Sequence, residues 1–156
     1  MKDIFKEIKL YAITGFNNIL IYGFGSKTWL LREFLSTKLK SYPKIVVDGL
    51  NPATSSKLIL KKICKFVAES AGDSGDEDDL GGGVLKNTKL TKTEQQIEFL
   101  RRTLDDQNEE SSFPYERIIL AINNLDGPSL RDEASINLLS TICSIPKVFL
   151  FDFFND

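Results

Sequence analysis

The sequence predicts an α/β fold in which a parallel sheet is layered between helices, and three observations carry that expectation. Short apolar or β-branched runs alternate with longer stretches whose apolar residues recur at helical spacing. The first of these runs, Ile19 to Tyr22, passes directly into the glycine pair Gly23 and Gly25 and then into a helical pattern, the order strand, turn, helix. The chain has 156 residues, a length suited to one soluble domain with a substantial core.

Ile4, Phe5, Ile8 and Tyr11 fall on one face of a short amphipathic helix that precedes the first strand. Ile19–Tyr22 is too short for anything but a buried strand. Leu30, Leu31, Phe34, Leu35 and Leu39 place a helix after it, with Ser26 positioned to cap the first turn. Tyr42-Pro43 breaks the chain, and Lys44 to Gly49 is a second strand with a β-branched middle. Asn51-Pro52 reads as the start of the next helix, because proline is tolerated where the first-turn amides have no partner. Ile59, Ile63, Phe66 and Val67 then share a face. Residues 71–90 are of another kind, with Gly72 to Asp79 acidic and Gly81 to Gly83 all glycine, and the expectation is a disordered acidic insertion. The insertion lacks the ligand alternation, the sixth-position glycine and the twelfth-position glutamate of a calcium loop. Helical spacing resumes over Thr93 to Gln107 through Ile97, Leu100 and Leu104. Arg117 to Ile122 is a third strand, and Asp126 is placed to cap a helix starting near Ser129 and opened by Leu130-Arg131. Ala134, Leu138, Leu139 and Ile142 carry that helix to Cys143. Pro146 stops it, and Lys147 to Phe154 is a fourth strand.

Composition excludes several chemistries. The chain has two cysteines and no histidine, so Cys-His catalysis and the usual zinc sites are ruled out, and Cys64 and Cys143 read as buried reduced thiols. No apolar run approaches the roughly 20 residues that span a bilayer, and residues 1 to 6 lack the apolar core of a signal peptide, so an intracellular protein with no membrane partner is expected. The net charge of −2 conceals an asymmetry. Residues 1–67 hold 12 Lys and Arg against 4 Asp and Glu, whereas residues 68–156 hold 8 against 18. The first half could face a polyanion, or lysines such as Lys57, Lys61, Lys62 and Lys65 could simply be the solvated face of a helix.

Two stretches bear on chemistry. Gly23, Gly25, Ser26, Lys27 and Thr28 form a degenerate phosphate loop. A working loop needs five residues between its first glycine and its lysine, so that backbone amides wrap the phosphates. Here only Phe24, Gly25 and Ser26 intervene. Either this is a nucleotide site, or it is a strand-to-helix turn retained as scaffold. The second stretch, Arg117 to Gly127, resembles the strand whose tip carries a magnesium-binding aspartate followed by a water-polarising glutamate. Those positions are Asn123 and Asn124. An amide neither supplies the negative charge that magnesium attracts nor acts as a general base.

Three blocks together resemble the second subunit of the eukaryotic origin recognition complex: Leu20 to Lys27; Ile45 to Gly49 with Pro52 and Lys57 after it; and Asn124 to Asp126 with Leu130-Arg131 after it. The shortened loop ending Gly-Ser-Lys is the most specific of the three. The resemblance departs at Thr28, where that family often has a basic residue, and at Asn155, where an aspartate is more familiar. It implies a P-loop NTPase or AAA+-like fold, a three-layer parallel sheet with a RecA-like core and strand order 5-1-4-3-2. Strand 5 and the helical lid would be missing from residues 1–156, which would form a partial domain interrupted by the acidic insertion 71–90. The resemblance further implies a nuclear, non-catalytic subunit without a cofactor that helps mark replication origins and load the helicase. Its partners would be the other origin recognition subunits, the third above all, and DNA in the context of the complex. Two rival readings stay open: a P-loop ATPase, which Lys27 and Thr28 permit, and a protein-interaction adaptor of this fold unconnected with DNA.

Overall fold

The structure, a computed structural model, describes residues 2–14, 18–22, 28–71, 91–105 and 113–153. The elements are α1 (Lys2–Thr14), β1 (Ile19–Ile21), α2 (Thr28–Thr37), β2 (Lys44–Asp48), α3 (Ser56–Ser70), α4 (Lys92–Leu104), β3 (Ile118–Asn123), α5 (Glu133–Cys143) and β4 (Val148–Phe153). The strands form one parallel sheet in the order β1-β4-β3-β2, which agrees with the 1-4-3-2 part of the expected order. Gly23, Gly25, Ser26, Lys27 and nearly all of the acidic stretch lie outside the described residues, Ala71 being the capping residue after α3.

Alternation along the central strands builds two cores. Ile119 and Ala121 of β3 and Phe149 and Phe151 of β4 meet Leu31, Phe34, Leu35 and Leu39 from α2 and the turn after it. Phe34 stacks on Phe151 with ring centroids 5.1 Å apart. On the opposite face Ile118, Leu120, Ile122, Val148 and Leu150 pack against α3, α4 and α5 through Ile59, Ile63, Val67, Leu100, Leu104 and Ile142. Every residue of β3 is buried, as a strand with helices on both faces requires. Burying a Leu or Ile side chain contributes roughly 1.5 to 3 kcal/mol, so these two layers dominate the favourable side of folding.

Three sequence expectations are corrected. The first strand is not buried: Leu20 is 53% exposed and Tyr22, just beyond β1, is 83% exposed. Its place at the edge, where among the described residues it pairs with β4 alone, is the one that the order 5-1-4-3-2 without a fifth strand gives it; only its burial is corrected. The second correction concerns α3, which starts at Ser56 and not at Asn51-Pro52. Residues 48–54 are instead a self-bonded turn, in which Asp48 Oδ1 accepts from the Leu50 amide at 3.0 Å and Asn51 Oδ1 from the Ala53 amide at 3.0 Å. The Thr54 hydroxyl donates to the Asp48 carbonyl at 2.8 Å, and Ser55 then caps α3 by accepting from the Leu58 amide. Local side-chain bonds of this kind compete with the helix for the same backbone groups. Third, α5 opens at Glu133, with Asp132 rather than Asp126 as its cap: the Asp132 carboxylate accepts from the Ser135 amide at 2.9 Å. Leu130 is fully buried in the connection before the helix.

Candidate nucleotide site

In a parallel sheet of this kind ligands gather beyond the carboxyl ends of the strands, where the strand order reverses. Here that place is the gap between β1 and β4, and the side chains around it come from α2, β2 and β3. Thr28 is the first residue of α2. Asn123 ends β3 and is buried, and its side-chain amide donates to the Thr28 hydroxyl at 3.3 Å. Asn124 follows with φ 60, a left-handed conformation that asparagine adopts more readily than most residues. Its side-chain amide donates to Asp48 Oδ1 at 3.2 Å, which ties the tip of β3 to the tip of β2.

The backbone reinforces that tie. The Gly49 amide donates to the Asn123 carbonyl at 2.8 Å, and the Gly127 amide donates to the Asn124 carbonyl at 3.0 Å. A Cβ on Gly127 would lie 2.1 Å from the Gly49 carbonyl oxygen, and one on Gly49 would lie 1.9 Å from that of Asn124. Only glycine fits where backbone meets backbone this closely.

This arrangement does not fit a magnesium-nucleotide centre. Asn123 and Asn124 at the tip of β3 carry amides rather than carboxylates, and each amide is a donor in a hydrogen bond. Asp48 is the nearest acid in the network, and its Oδ1 already accepts from Leu50 and Asn124. Among the described residues no group of three or more His, Cys, Asp or Glu could hold a metal ion. Of the five sequence-predicted site residues the structure places Thr28, beside Asn123, while the other four fall outside the described residues. The Asp48–Asn124 link was not legible as a pair, because 76 residues separate its members. Asp152, fully buried in β4 and in register with Leu20 and Ile122, gave no sequence signal beyond its place in an apolar run.

Comparison with known proteins decides the family. Residues 1–151 match the family model described as the origin recognition complex subunit 2 RecA-like domain. The chain belongs to that family. Family members include origin of replication complex subunit 2 of indica rice, 32% identical over 136 residues, and origin recognition complex subunit 2 of mouse, 29% identical over 149 residues. These matches cover 83% and 96% of this chain but only 33% and 22% of the rice and mouse proteins. Among solved structures, a chain of Drosophila ORC bound to DNA superposes with a TM-score of 0.69 at 24% identity, covering 99% of this chain and 75% of that one. A chain of Drosophila ORC bound to AT-rich DNA and Cdc6 gives 0.71 at 24% identity, covering 99% and 46%. At that identity the likeness establishes the fold, which is the RecA-like, AAA+-like architecture expected from the family resemblance.

Proposed function

We propose that this chain is a non-catalytic, AAA+-like part of an origin recognition complex second subunit, acting as scaffold in replication initiation and helicase loading. Membership of the subunit 2 family supports the place in the complex. The observation that carries the non-catalytic reading is the pair of amides at the tip of β3, one held on Thr28 and the other on Asp48. Where a hydrolase of this fold aims charge at magnesium and at the attacking water, this chain ties its sheet tips together. The phosphate loop Gly23, Gly25, Ser26, Lys27 and Thr28, two residues short, takes the part of a structural turn in this reading and holds no cofactor.

In the same reading residues 1–156 are part of an AAA+-like domain carrying the acidic insertion 71–90, and the protein works in the nucleus. Its partners are the other origin recognition subunits, the third in particular, together with DNA held by the assembled complex. The relatives' complexes with DNA support that partnership. Affinity capture of the full-length protein from its own cells tests it. Stoichiometric recovery of origin recognition subunits, the third included, is expected. Capture of a reproducible partner set lacking all of them would replace the proposal with an adaptor function.

A further inference from the structure

The sequence contains two steps in which an aspartate precedes a glycine, Asp48-Gly49 and Asp126-Gly127, and the fold brings them together. Gly49 and Gly127 meet backbone on backbone at the joined tips of β2 and β3, so closely that neither has room for a Cβ. Among aspartyl steps, one followed by glycine is the most open to attack of the next amide nitrogen on the side-chain carboxyl. Glycine carries no Cβ to obstruct the approach and leaves the backbone free to turn.

The two steps are chemically alike but differently held. At Asp48 the carboxylate oxygen Oδ1 accepts from the Leu50 amide at 3.0 Å and from the Asn124 side-chain amide at 3.2 Å. The nitrogen that would attack it, that of Gly49, is engaged with the Asn123 carbonyl of the neighbouring strand at 2.8 Å. At Asp126 a single bond stands in the way: the Gly127 amide donates to the Asn124 carbonyl at 3.0 Å, within a four-residue turn. Asp126 is exposed, and its carboxylate accepts no hydrogen bond among the described residues. Opening one turn locally costs less than undoing a side-chain pair together with a bond between strands.

We propose that Asp126 is a site of spontaneous isoaspartate formation in the folded protein, that hydrogen bonding protects the Asp48 step, and that isomerisation at Asp126 unlocks the junction of β2 with β3. The Gly127 nitrogen bonds to the side-chain carboxyl carbon of Asp126, its proton passes to solvent, and a carboxyl oxygen leaves as water. The cyclic imide then takes up one water at its main-chain carbonyl, and the chain runs on through the former side chain. Water is the only other reactant. The product carries an extra backbone carbon just ahead of a glycine that has no room even for a Cβ. The Gly127 carbonyl also accepts from the amide of the fully buried Leu130 at 3.0 Å, so the displacement reaches the core beneath α3 and α5. The proposal rests on the geometry of the junction and stands whether or not the protein acts at replication origins.

The test ages the full-length protein at neutral pH and physiological temperature and measures isoaspartate at each position by peptide mapping with electron-transfer dissociation, whose fragments distinguish the two linkages. In the folded protein isoaspartate should accumulate about tenfold or more faster at position 126 than at position 48, a ratio that falls to within about threefold in urea. Equal rates in the folded protein, no isoaspartate at position 126, or a ratio unchanged by urea would overturn the proposal. The variant Asp126→Glu, whose longer side chain closes the ring far less readily, supplies a second reading. The melting temperature of the wild type should fall in step with isoaspartate at position 126, and the variant should age without that loss. An aged wild type as stable as the fresh protein, or an equal loss in both proteins, would also overturn it.

Discussion

At the scale of single residues, two buried positions, Asn124 and Cys64, carry testable consequences for stability. Asn124 follows the tip of β3, where its amide is a donor to Asp48 and its backbone is left-handed. Asn124→Asp should therefore lower stability by about 1 to 2 kcal/mol, since the donor is lost and a second carboxylate is set beside the first. Exchanging the two side chains, Asp48→Asn with Asn124→Asp, restores one donor and one acceptor and should recover most of that loss in urea melts. A double variant no more stable than the single one would show that the pair does not couple. Cys64 is the second position: burial pushes its thiol up from 9.0 to about 12, and burial pushes Cys143 up to about 11. Both thiols are held neutral in the folded state, so above pH 9 the unfolded chain loses its protons first. Their contribution is complete below that pH and is lost between about pH 9 and 12, each thiol adding a slope of up to about 1.4 kcal/mol per pH unit. Cys64→Val should flatten the alkaline limb of stability against pH, and an unchanged slope would contradict the burial argument.

At the scale of elements, helix starts separate local sequence signals from tertiary ones. Asp126, Pro128 and Ser129 have the composition of a helix start, but Gly127 is held between Gly49 and Asn124, so residues 124–130 serve the junction of β2 with β3. The helix begins only once the chain is past that junction. Asp132→Ala should lower the melting temperature, whereas Asp126→Ala should leave it unchanged; the reverse order would restore the earlier helix start. Hydrogen bonding to Ser135 holds the Asp132 carboxyl below the usual carboxylate range. Its contribution is therefore present above about pH 4 and is lost as the pH falls through the lowered value. Among the described residues, the four strands and the five helices were legible because apolar runs and helical spacing are local patterns. The amide network, the Gly49–Gly127 approach and the buried bond between Ser56 and Ser135 were not, because each joins segments brought together only by the sheet. At the site, Thr28 was readable as a retained residue of the phosphate-loop motif and the two asparagines as departures from the strand-tip motif. What they bind instead was not.

At the scale of the molecule, charge is unevenly distributed along the chain. The basic first half includes Lys57, Lys62 and Lys65 on the exposed side of α3, while the acidic residues concentrate after position 67. No base-reading helix is evident in the sequence, so residues 1–156 should bind duplex DNA weakly, without sequence preference, and with an affinity that falls steeply as salt rises. Discrimination between sequences in a competition assay, or binding that persists at physiological salt, would contradict this. Sequence-dependent contact with an origin would then have to involve this region directly.

In the proposed function, amides at the tip of β3 and a shortened loop make a structural site of what is catalytic in a hydrolase of this fold. Steady-state ATP turnover with magnesium, measured for the wild type and for the variant carrying Asn123→Asp and Asn124→Glu, tests that claim most directly. Both proteins should stay at background, because restoring the two acids leaves the phosphates without the full-length loop that would wrap them. Magnesium-dependent turnover by either one would contradict it.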